Sequence, residues 1–280
     1  MDGTTMSDAP ATPEFRVRGL RKGFEQGARS GYRHVQAVDG IDLDVMAGQR
    51  LGIVGESGSG KSTLVRMLDA IIAPSSGEIR FRGQRIDGAR ERQLGELRSS
   101  VQMVFQDPRS SLDPRMKVGQ IITEPLRSRL LRGRPDVPRD HRARLAEVLE
   151  QVQLEADAAE HYPHEFSGGQ RQRIAIARAI APSPDVLIAD EAVSALDVSV
   201  RAHVLNLFAD LVSRHELTLL FVSHDLEVVR HVCDSVVVMK SGRIVEHGNI
   251  EQVYEHPSQE YTRTLLASIP RLRATGPRGS

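Results

Sequence analysis

Apolar and polar residues alternate along residues 15–54, with glycines at the turns, and this period of two predicts antiparallel strands. A turn at Ala73–Gly77 precedes a further strand at Glu78–Arg82. The apolar run Val101–Phe105 predicts a buried strand that ends at Gln106. The first part of the chain is therefore expected to be rich in strands.

From residue 111 to about residue 165 the strand pattern disappears, and apolar residues recur at helical spacing. Helices are predicted at Val118–Leu131 and His141–Val152, with a Pro- and Arg-rich break at Arg132–Arg139 between them. The pattern indicates a helical subdomain inserted at about residues 111–165.

Helices and strands alternate in the later part of the chain, which predicts a parallel sheet with crossover helices. The predicted elements are helix Gly168–Ala181, strand Val186–Asp190, helix Val200–Arg214, strand Leu217–Ser223, helix Leu226–Cys233 and strand Ser235–Lys240, followed by short helices Ile250–Glu255 and Gln259–Ser268. The predicted fold class is α/β, with a mixed sheet, an N-terminal antiparallel β-subdomain and the inserted helical subdomain. We expect one domain at residues 14–270, with a C-terminal extension at about 249–270 and disordered tails at 1–13 and 271–280.

The composition excludes several kinds of protein. The 37 basic and 37 acidic residues cancel, so no overall field favours nucleic acid or an anionic membrane surface. The single cysteine, Cys233, excludes a disulfide framework and a four-cysteine zinc site. The longest apolar runs have the length of strands, and residues 1–13 lack the features of a signal peptide. We therefore expect a cytoplasmic chain without a transmembrane segment, whose membrane role would come through a partner.

Residues 55–63 match the phosphate-binding pattern G-x-x-x-x-G-K-[ST]. The match lies between the predicted strand Arg50–Val54 and a helical pattern at Leu64–Ile72, which is the context that the pattern requires. Glycines let the backbone N–H groups turn toward an anion, and the following helix presents its positive end to the same phosphates. This predicts a P-loop NTPase core whose binding residues are Gly55, Glu56, Ser57, Gly58, Ser59, Gly60, Lys61, Ser62 and Thr63.

Two adjacent carboxylates follow the apolar run of Asp185–Glu191, which reads D-V-L-I-A-D-E. Ligand-binding groups of open α/β sheets lie at the carboxyl ends of the strands. Asp190 is therefore expected to hold Mg²⁺ together with Ser62, and Glu191 to orient or polarise an attacking water.

Two more side chains follow apolar strands at the same predicted edge. Gln106 carries an amide that can reach metal or water. His224 follows L-T-L-L-F-V-S and is placed either to contact a terminal phosphate or to brace Glu191. The other histidines are interpreted as structural.

The segment Phe166–Arg173 reads F-S-G-G-Q-R-Q-R and opens a long helix. Ser167 is a suitable N-cap, and Gly168 and Gly169 leave the start of the helix accessible to an anion. A second anion-binding helix start far from the first indicates either two phosphate sites or one site shared between two chains.

Six motifs occur in the order found in ATP-binding-cassette (ABC) ATPases, and the resemblance covers roughly residues 15 to 268. These motifs are the loop 55–63, Gln106, S-G-G-Q at 167–170, D-E at 190–191, S-A-L-D at 194–197 and His224. The resemblance implies ATP and Mg²⁺ as cofactors, with Ser62, Gln106 and Asp190 as metal ligands and Glu191, His224 and Gln106 as catalytic residues.

In that family two cassettes dimerise head to tail around two ATP molecules. The resemblance then implies that Ser167, Gly168, Gly169 and Gln170 contact the ATP held by the partner's loop, and that Asp197 bridges the two sites. The aromatic residue that stacks on adenine is Phe24 by position, and Tyr32 is the alternative.

Three stretches, at residues 105–119, 162–173 and 256–266, resemble the ATP-binding subunits of peptide and nickel importers. That resemblance implies a second ABC ATPase subunit, identical or different, two transmembrane permeases and, indirectly, an extracytoplasmic solute-binding protein. Nucleic acid is not an expected partner. The chain would lie at the cytoplasmic face of the inner membrane, where the helical subdomain docks on a permease and Gln106 relays the nucleotide state.

The sequence departs from the family pattern at two places. Ala192 follows Glu191 where the family usually has Pro, and Tyr261 follows Gln259-Glu260 where His-Pro-Tyr is usual. Two alternatives to an importer subunit are a soluble ABC-type ATPase that is not coupled to transport and a regulatory ATP-binding module without turnover.

Overall fold

The computed structural model describes residues 12–28, 31–131, 137 and 139–268. Its strands are β1 (Phe15–Ala28), β2 (Gly31–Val45), β3 (Arg50–Val54), β4 (Ser76–Phe81), β5 (Gln84–Arg85), β6 (Val101–Val104), β7 (Val186–Asp190), β8 (Thr218–Ser223), β9 (Ser235–Lys240) and β10 (Arg243–Asn249). Its α-helices are α1 (Lys61–Leu68), α2 (Gly95–Ser100), α3 (Pro108–Ser111), α4 (Val118–Thr123), α5 (His141–Gln151), α6 (Gly168–Ile180), α7 (Val198–Arg214), α8 (Leu226–Val232), α9 (Ile250–Glu255) and α10 (Glu260–Ala267). Of the expected tails at 1–13 and 271–280, residues 1–11 and 271–280 lie outside the described residues, as does most of the break at 132–139.

A six-stranded sheet has the order β10-β9-β3-β8-β7-β6. Strands β9, β3, β8, β7 and β6 are parallel, and β10 pairs antiparallel with β9. β7 and β8 are buried along their whole length, which explains their continuous apolar sequences. The loops that follow β3, β6, β7 and β8 therefore meet at one edge of the sheet.

A second, antiparallel sheet has the order β2-β1-β4-β5. Alternate residues of the six-stranded sheet enter two different cores, as the period of a strand requires. In β8, Leu220 and Val222 pack with α1 and the antiparallel sheet, whereas Leu219 and Phe221 pack with the helices on the other face. The two sheets thus enclose α1, and the helical segment between β6 and β7 packs on the opposite face.

Some predicted elements differ from those observed. The predicted helix Val118–Leu131 is wrong in extent: α4 ends at Thr123, and 3₁₀ turns follow at Pro125–Arg127 and Arg129–Leu131. Pro125 explains the break, because proline has no N–H to donate to the Ile121 carbonyl and its ring crowds that carbonyl, although Glu124 before it keeps helical backbone angles. The phosphate-loop helix begins at Lys61 and ends at Leu68, before Ala70 with its positive φ of 49°. The sequence patterns did not indicate α2, α3, β5 or the edge strand β10.

None of the helices in the described ranges combines the length and apolar character that crossing a membrane requires.

Asp69 is a buried carboxyl at the C-terminal end of α1. Burial raises its pKa from 3.8 to about 7, although the Arg98 guanidinium 3.6 Å away acts in the opposite direction. Since the pKa is higher in the folded state, this group stabilises the fold fully below about pH 4, and the contribution is lost as the pH rises toward 7.

We expect Asp69→Asn to remove this dependence. The free energy of unfolding of the variant, relative to wild type, should rise by up to about 1.4 kcal/mol per pH unit between these two pKa values and then level off. Urea unfolding at several pH values measures the difference, with Asp210→Asn on the exposed surface of α7 as the matched control. A difference that does not change with pH would contradict the raised pKa.

Candidate active site

The loop between β3 and α1 has a backbone that glycine alone adopts easily. Gly55, Gly58 and Gly60 have φ values of 150°, 81° and 101°. A Cβ on Gly60 would lie 2.1 Å from the Ala37 carbonyl oxygen, and one on Gly55 would lie 2.2 Å from the Met239 carbonyl oxygen. Gly55 and Gly60 are therefore required for two reasons: their backbone has a positive φ, and neighbouring carbonyl groups leave no space for a Cβ.

Lys61 is the first residue of α1, and its side chain is buried. Its ammonium donates to the Gly55 carbonyl at 2.8 Å and to the Glu56 carbonyl at 2.9 Å. Burial lowers the pKa of Lys61, whereas the charges of Glu191 and Asp190 raise it. The side chain is thus folded back along the loop, with its ammonium bonded to two of the loop's carbonyl groups.

Asp190 ends β7 and is fully buried. Its carboxylate accepts a 2.7 Å hydrogen bond from the Ser62 hydroxyl and lies 3.4 Å from the Arg66 guanidinium. A buried carboxylate requires such partners. The loop helix and β7, predicted separately, are joined here as expected for a shared site.

Glu191 has a positive φ of 49°, which is uncommon for a residue with a side chain. Its N–H donates to the Val222 carbonyl at 3.0 Å, and its carbonyl accepts from the Ser194 hydroxyl at 2.9 Å. The His224 Nδ1 lies 3.7 Å from a Glu191 carboxylate oxygen, a distance longer than a hydrogen bond. The turn after β7 therefore points the Glu191 carboxylate toward His224, and Ser194 holds this turn although Ala192 replaces the usual proline.

Gln106 follows β6 and is exposed. With Gly168, Arg171, Ala192 and other residues it lines a cavity of about 280 Å³. No hydrogen bond among the described side chains joins Gln106 to Ser62 or Asp190. Its expected role as a metal ligand stays a prediction.

The S-G-G-Q segment forms a capping box at the start of α6. The Ser167 hydroxyl accepts from the Gln170 N–H at 3.4 Å, and the Gln170 side-chain oxygen accepts from the Ser167 N–H at 3.0 Å. Gly169 is buried, and a Cβ there would lie 2.3 Å from a Val200 methyl group in α7. Ser167 and Gly168 are exposed, as a surface offered to a partner would be.

Phe24 and Asp197 also lie outside the cluster around Lys61. Phe24 is 37% exposed, and the Lys22 ammonium lies 5.1 Å from the centre of its ring. Asp197 is exposed at the N-cap position of α7. The alternative Tyr32 side chain is outside the described part of the structure, so the choice of adenine-stacking residue stays open.

Three contacts at the site were not predicted. Arg66 reaches Asp190, and its spacing of four residues from Ser62 on one helix face could have indicated it. Ser194 holds the carbonyl of Glu191. The Tyr261 hydroxyl accepts a 3.1 Å hydrogen bond from the Glu56 N–H, and no local pattern signals a contact across such a separation in sequence.

The oxygen ligands at the carboxyl ends of the parallel strands fit a magnesium ion that arrives with a phosphate ligand. Ser62 and Asp190 supply hard oxygen atoms, and Mg²⁺ binds through few protein ligands together with phosphate and water oxygens. Within the described ranges no group of three or more His, Cys, Asp or Glu side chains could hold a metal by itself. The site is thus suited to a nucleotide-borne cation.

A phosphate loop, an acidic strand end and a histidine at one edge of a mixed sheet, with an antiparallel sheet beside it, define an ATPase cassette of the P-loop class. Residues 38–194, more than half of the chain, match the family described as "ABC transporter". The chain belongs to this family, and it is an ATPase of the ABC type.

Curated relatives are transport proteins. The chain is 46% identical over 258 residues to the di/tripeptide transport ATP-binding protein DppF of Pseudomonas aeruginosa, covering 91% of this chain and 79% of that protein. It is 49% identical over 264 residues to the glutathione import ATP-binding protein GsiA of Escherichia coli, covering 92% of this chain. It spans only 41% of the length of GsiA.

Solved structures with the same fold are ABC cassettes. A dimeric, post-hydrolysis structure of the cassette MJ0796 bound to ADP and Pi has a TM-score of 0.73 and 27% identity, covering 84% of this chain and 98% of that one. The structure of cbiO1 from Clostridium perfringens, part of the ABC transporter complex cbiONQ, has a TM-score of 0.71 and 29% identity, covering 93% of this chain and 97% of that one. The family resemblance and the α/β fold class drawn from the sequence are confirmed.

We expect Gly60→Ala to abolish measurable ATP binding, because its Cβ would collide with the Ala37 carbonyl and displace the loop. Gly48→Ala is the matched control, since Gly48 lies outside the loop and also has a positive φ of 71°, but no atom lies within 4 Å of its Cβ. It should lower the free energy of unfolding by only about 1–2 kcal/mol and retain binding. Titration with MgATP measures both variants, and equal losses would show that collision is not the cause.

Proposed function

We propose that this chain is the ATP-hydrolysing subunit of an ABC importer for small peptides. The supporting observation is its relation to the di/tripeptide transport protein DppF, which extends over nearly the whole chain. Peptide is favoured over nickel, and glutathione, itself a small peptide, is the solute in the name of a second relative. The chain would act at the cytoplasmic face of the inner membrane, attached to two permeases.

The phosphates of ATP are expected to bind along residues 55–63. The N–H groups of the loop and the start of α1 favour negative charge, and Lys61 supplies a compact positive charge. Ser62 and Asp190, with Gln106, would hold the Mg²⁺, which neutralises phosphate charge when it is bound. Phe24 would stack on adenine.

Glu191 is proposed to orient the attacking water, and His224 to hold the Glu191 carboxylate. The hydrogen bonds to Val222 and Ser194 fix the backbone turn from which the Glu191 carboxylate projects. Hydrolysis of phosphoric anhydrides depends mainly on such positioning and on charge stabilisation. The 3.7 Å separation of Glu191 and His224 leaves room for the pair to tighten around a ligand.

The second half of each ATP site would come from another cassette, identical or different. Ser167, Gly168, Gly169 and Gln170 would contact the ATP on the partner's loop, and Asp197 would bridge the two sites. The exposure of Ser167, Gly168, Gln170 and Asp197 supports this arrangement, and MJ0796, a structural relative, is itself dimeric.

Affinity purification of the tagged chain from detergent-solubilised native membranes, followed by mass spectrometry, tests the importer function. We expect two multispanning permeases, with or without a second cassette. Recovery of ribosomal or DNA-processing proteins without any membrane protein would instead support a soluble ABC-type ATPase.

We expect Glu191→Gln to bind MgATP as wild type does but to lose nearly all turnover, roughly a hundredfold or more, because the amide cannot accept the water's proton. Glu255→Gln, at an exposed position at the end of α9, is the control and should keep wild-type turnover. Steady-state ATPase assays and MgATP titrations of the assembled complex distinguish the two effects. Wild-type turnover in Glu191→Gln would refute the assigned role, and full turnover in every site variant would support a contaminating ATPase.

A further inference from the structure

The C-terminal extension contacts the phosphate loop directly. Tyr261, in the first turn of α10, accepts a 3.1 Å hydrogen bond from the backbone N–H of Glu56. The Lys240 ammonium, at the end of β9, lies 4.6 Å from the centre of the Tyr261 ring. The tyrosine therefore lies at the same edge of the sheet as the loop itself.

Both backbone groups of Glu56, the N–H and the carbonyl, form hydrogen bonds with side chains. Its N–H donates to Tyr261, and its carbonyl accepts from the ammonium of Lys61 at 2.9 Å. The Glu56 side chain is exposed, and the Ser59 N–H in the same loop donates to the Glu56 carbonyl at 3.1 Å. Tyr261 thus fixes the peptide that in turn positions Lys61.

The helix that carries Tyr261 is anchored by a buried acid. The Glu246 carboxylate in β10 accepts hydrogen bonds from the Ser258 N–H at 2.7 Å, the Ser258 hydroxyl at 2.9 Å and the Gln259 N–H at 3.2 Å. Burial alone would raise the pKa of Glu246, but the hydrogen-bond donors around its carboxylate lower it below its usual value. The start of α10 is therefore fixed to the sheet immediately before Tyr261.

We propose that Tyr261 is a positioning residue for ATP binding: through Glu56 it holds the phosphate loop and Lys61 in the conformation that receives the phosphates. The proposal rests on the proposed assignment of residues 55–63 to the phosphates of ATP. A loop that is ordered before its ligand arrives loses less conformational entropy on binding, so affinity rises. The C-terminal extension is then a part of the nucleotide site.

Tyr261→Phe removes the hydroxyl and keeps the ring that packs against Lys240. We expect the KM for ATP and the dissociation constant for MgATP to rise by about threefold to tenfold, the value of one net hydrogen bond. The kcat should stay near wild type, since Glu191 and His224 are untouched. The melting temperature should also stay unchanged, because the freed N–H of exposed Glu56 can bind water.

Tyr254→Phe is the matched control in the same extension, since the buried Tyr254 hydroxyl has no hydrogen-bond partner in the described structure. It should leave the KM at the wild-type value. Glu246→Gln, which weakens the anchor of α10, should raise the KM in the same direction as Tyr261→Phe.

An unchanged or lower KM in Tyr261→Phe would overturn the proposal. A lower KM would show that the tyrosine competes with ATP. Equal effects of Tyr261→Phe and Tyr254→Phe would also overturn it, since the contact to Glu56 would not be the cause. If the proposed function itself were wrong, a different result would be seen: the wild-type chain would not bind MgATP, and no permease would be recovered with it in the affinity purification.

Discussion

The buried carboxylate of Asp190 is the constraint on which the site depends. A carboxylate without solvent exposure is stable only with hydrogen-bonding or charged partners, and Ser62 and Arg66 supply them from α1. These partners lie more than 120 residues away in sequence, so the contact joins the phosphate-loop helix to the end of β7. Since the next residue is Glu191, the same contact also sets the distance between the loop and the acidic turn.

Parallel pairing produces this convergence. β3 pairs with β8 on one side and with β9 on the other, and β8 pairs with β7. Loops after parallel neighbours must leave the sheet at the same edge. The phosphate loop, Glu191 and His224 are therefore neighbours because of strand order, before any side chain forms a bond. Lys240, at the end of β9, extends the same edge to the position where α10 contacts the loop.

The features that could be predicted from the sequence are those that a few consecutive residues determine. The glycine loop, the apolar strand before Asp190 and the cap at Ser167 each depend on a few consecutive residues, and the structure has each of them in the predicted context. The predicted extent of α4 was wrong because the prediction followed the apolar spacing and ignored Pro125, although a proline interrupts a helix locally. The left-handed backbone of Glu191 and the bond from Glu56 to Tyr261 could not be predicted, because each depends on segments that meet only in the folded chain.

The contact between Gly169 and Val200 has a mechanical consequence. Gly169 lies at the start of α6, and a Cβ there would lie 2.3 Å from a methyl group of Val200, near the start of α7. The two helix starts are therefore in direct contact. α7 begins just after Asp197, in the segment that follows Glu191. The acidic turn and the exposed S-G-G-Q surface are therefore joined through a packed contact that leaves no gap to absorb a displacement of either one.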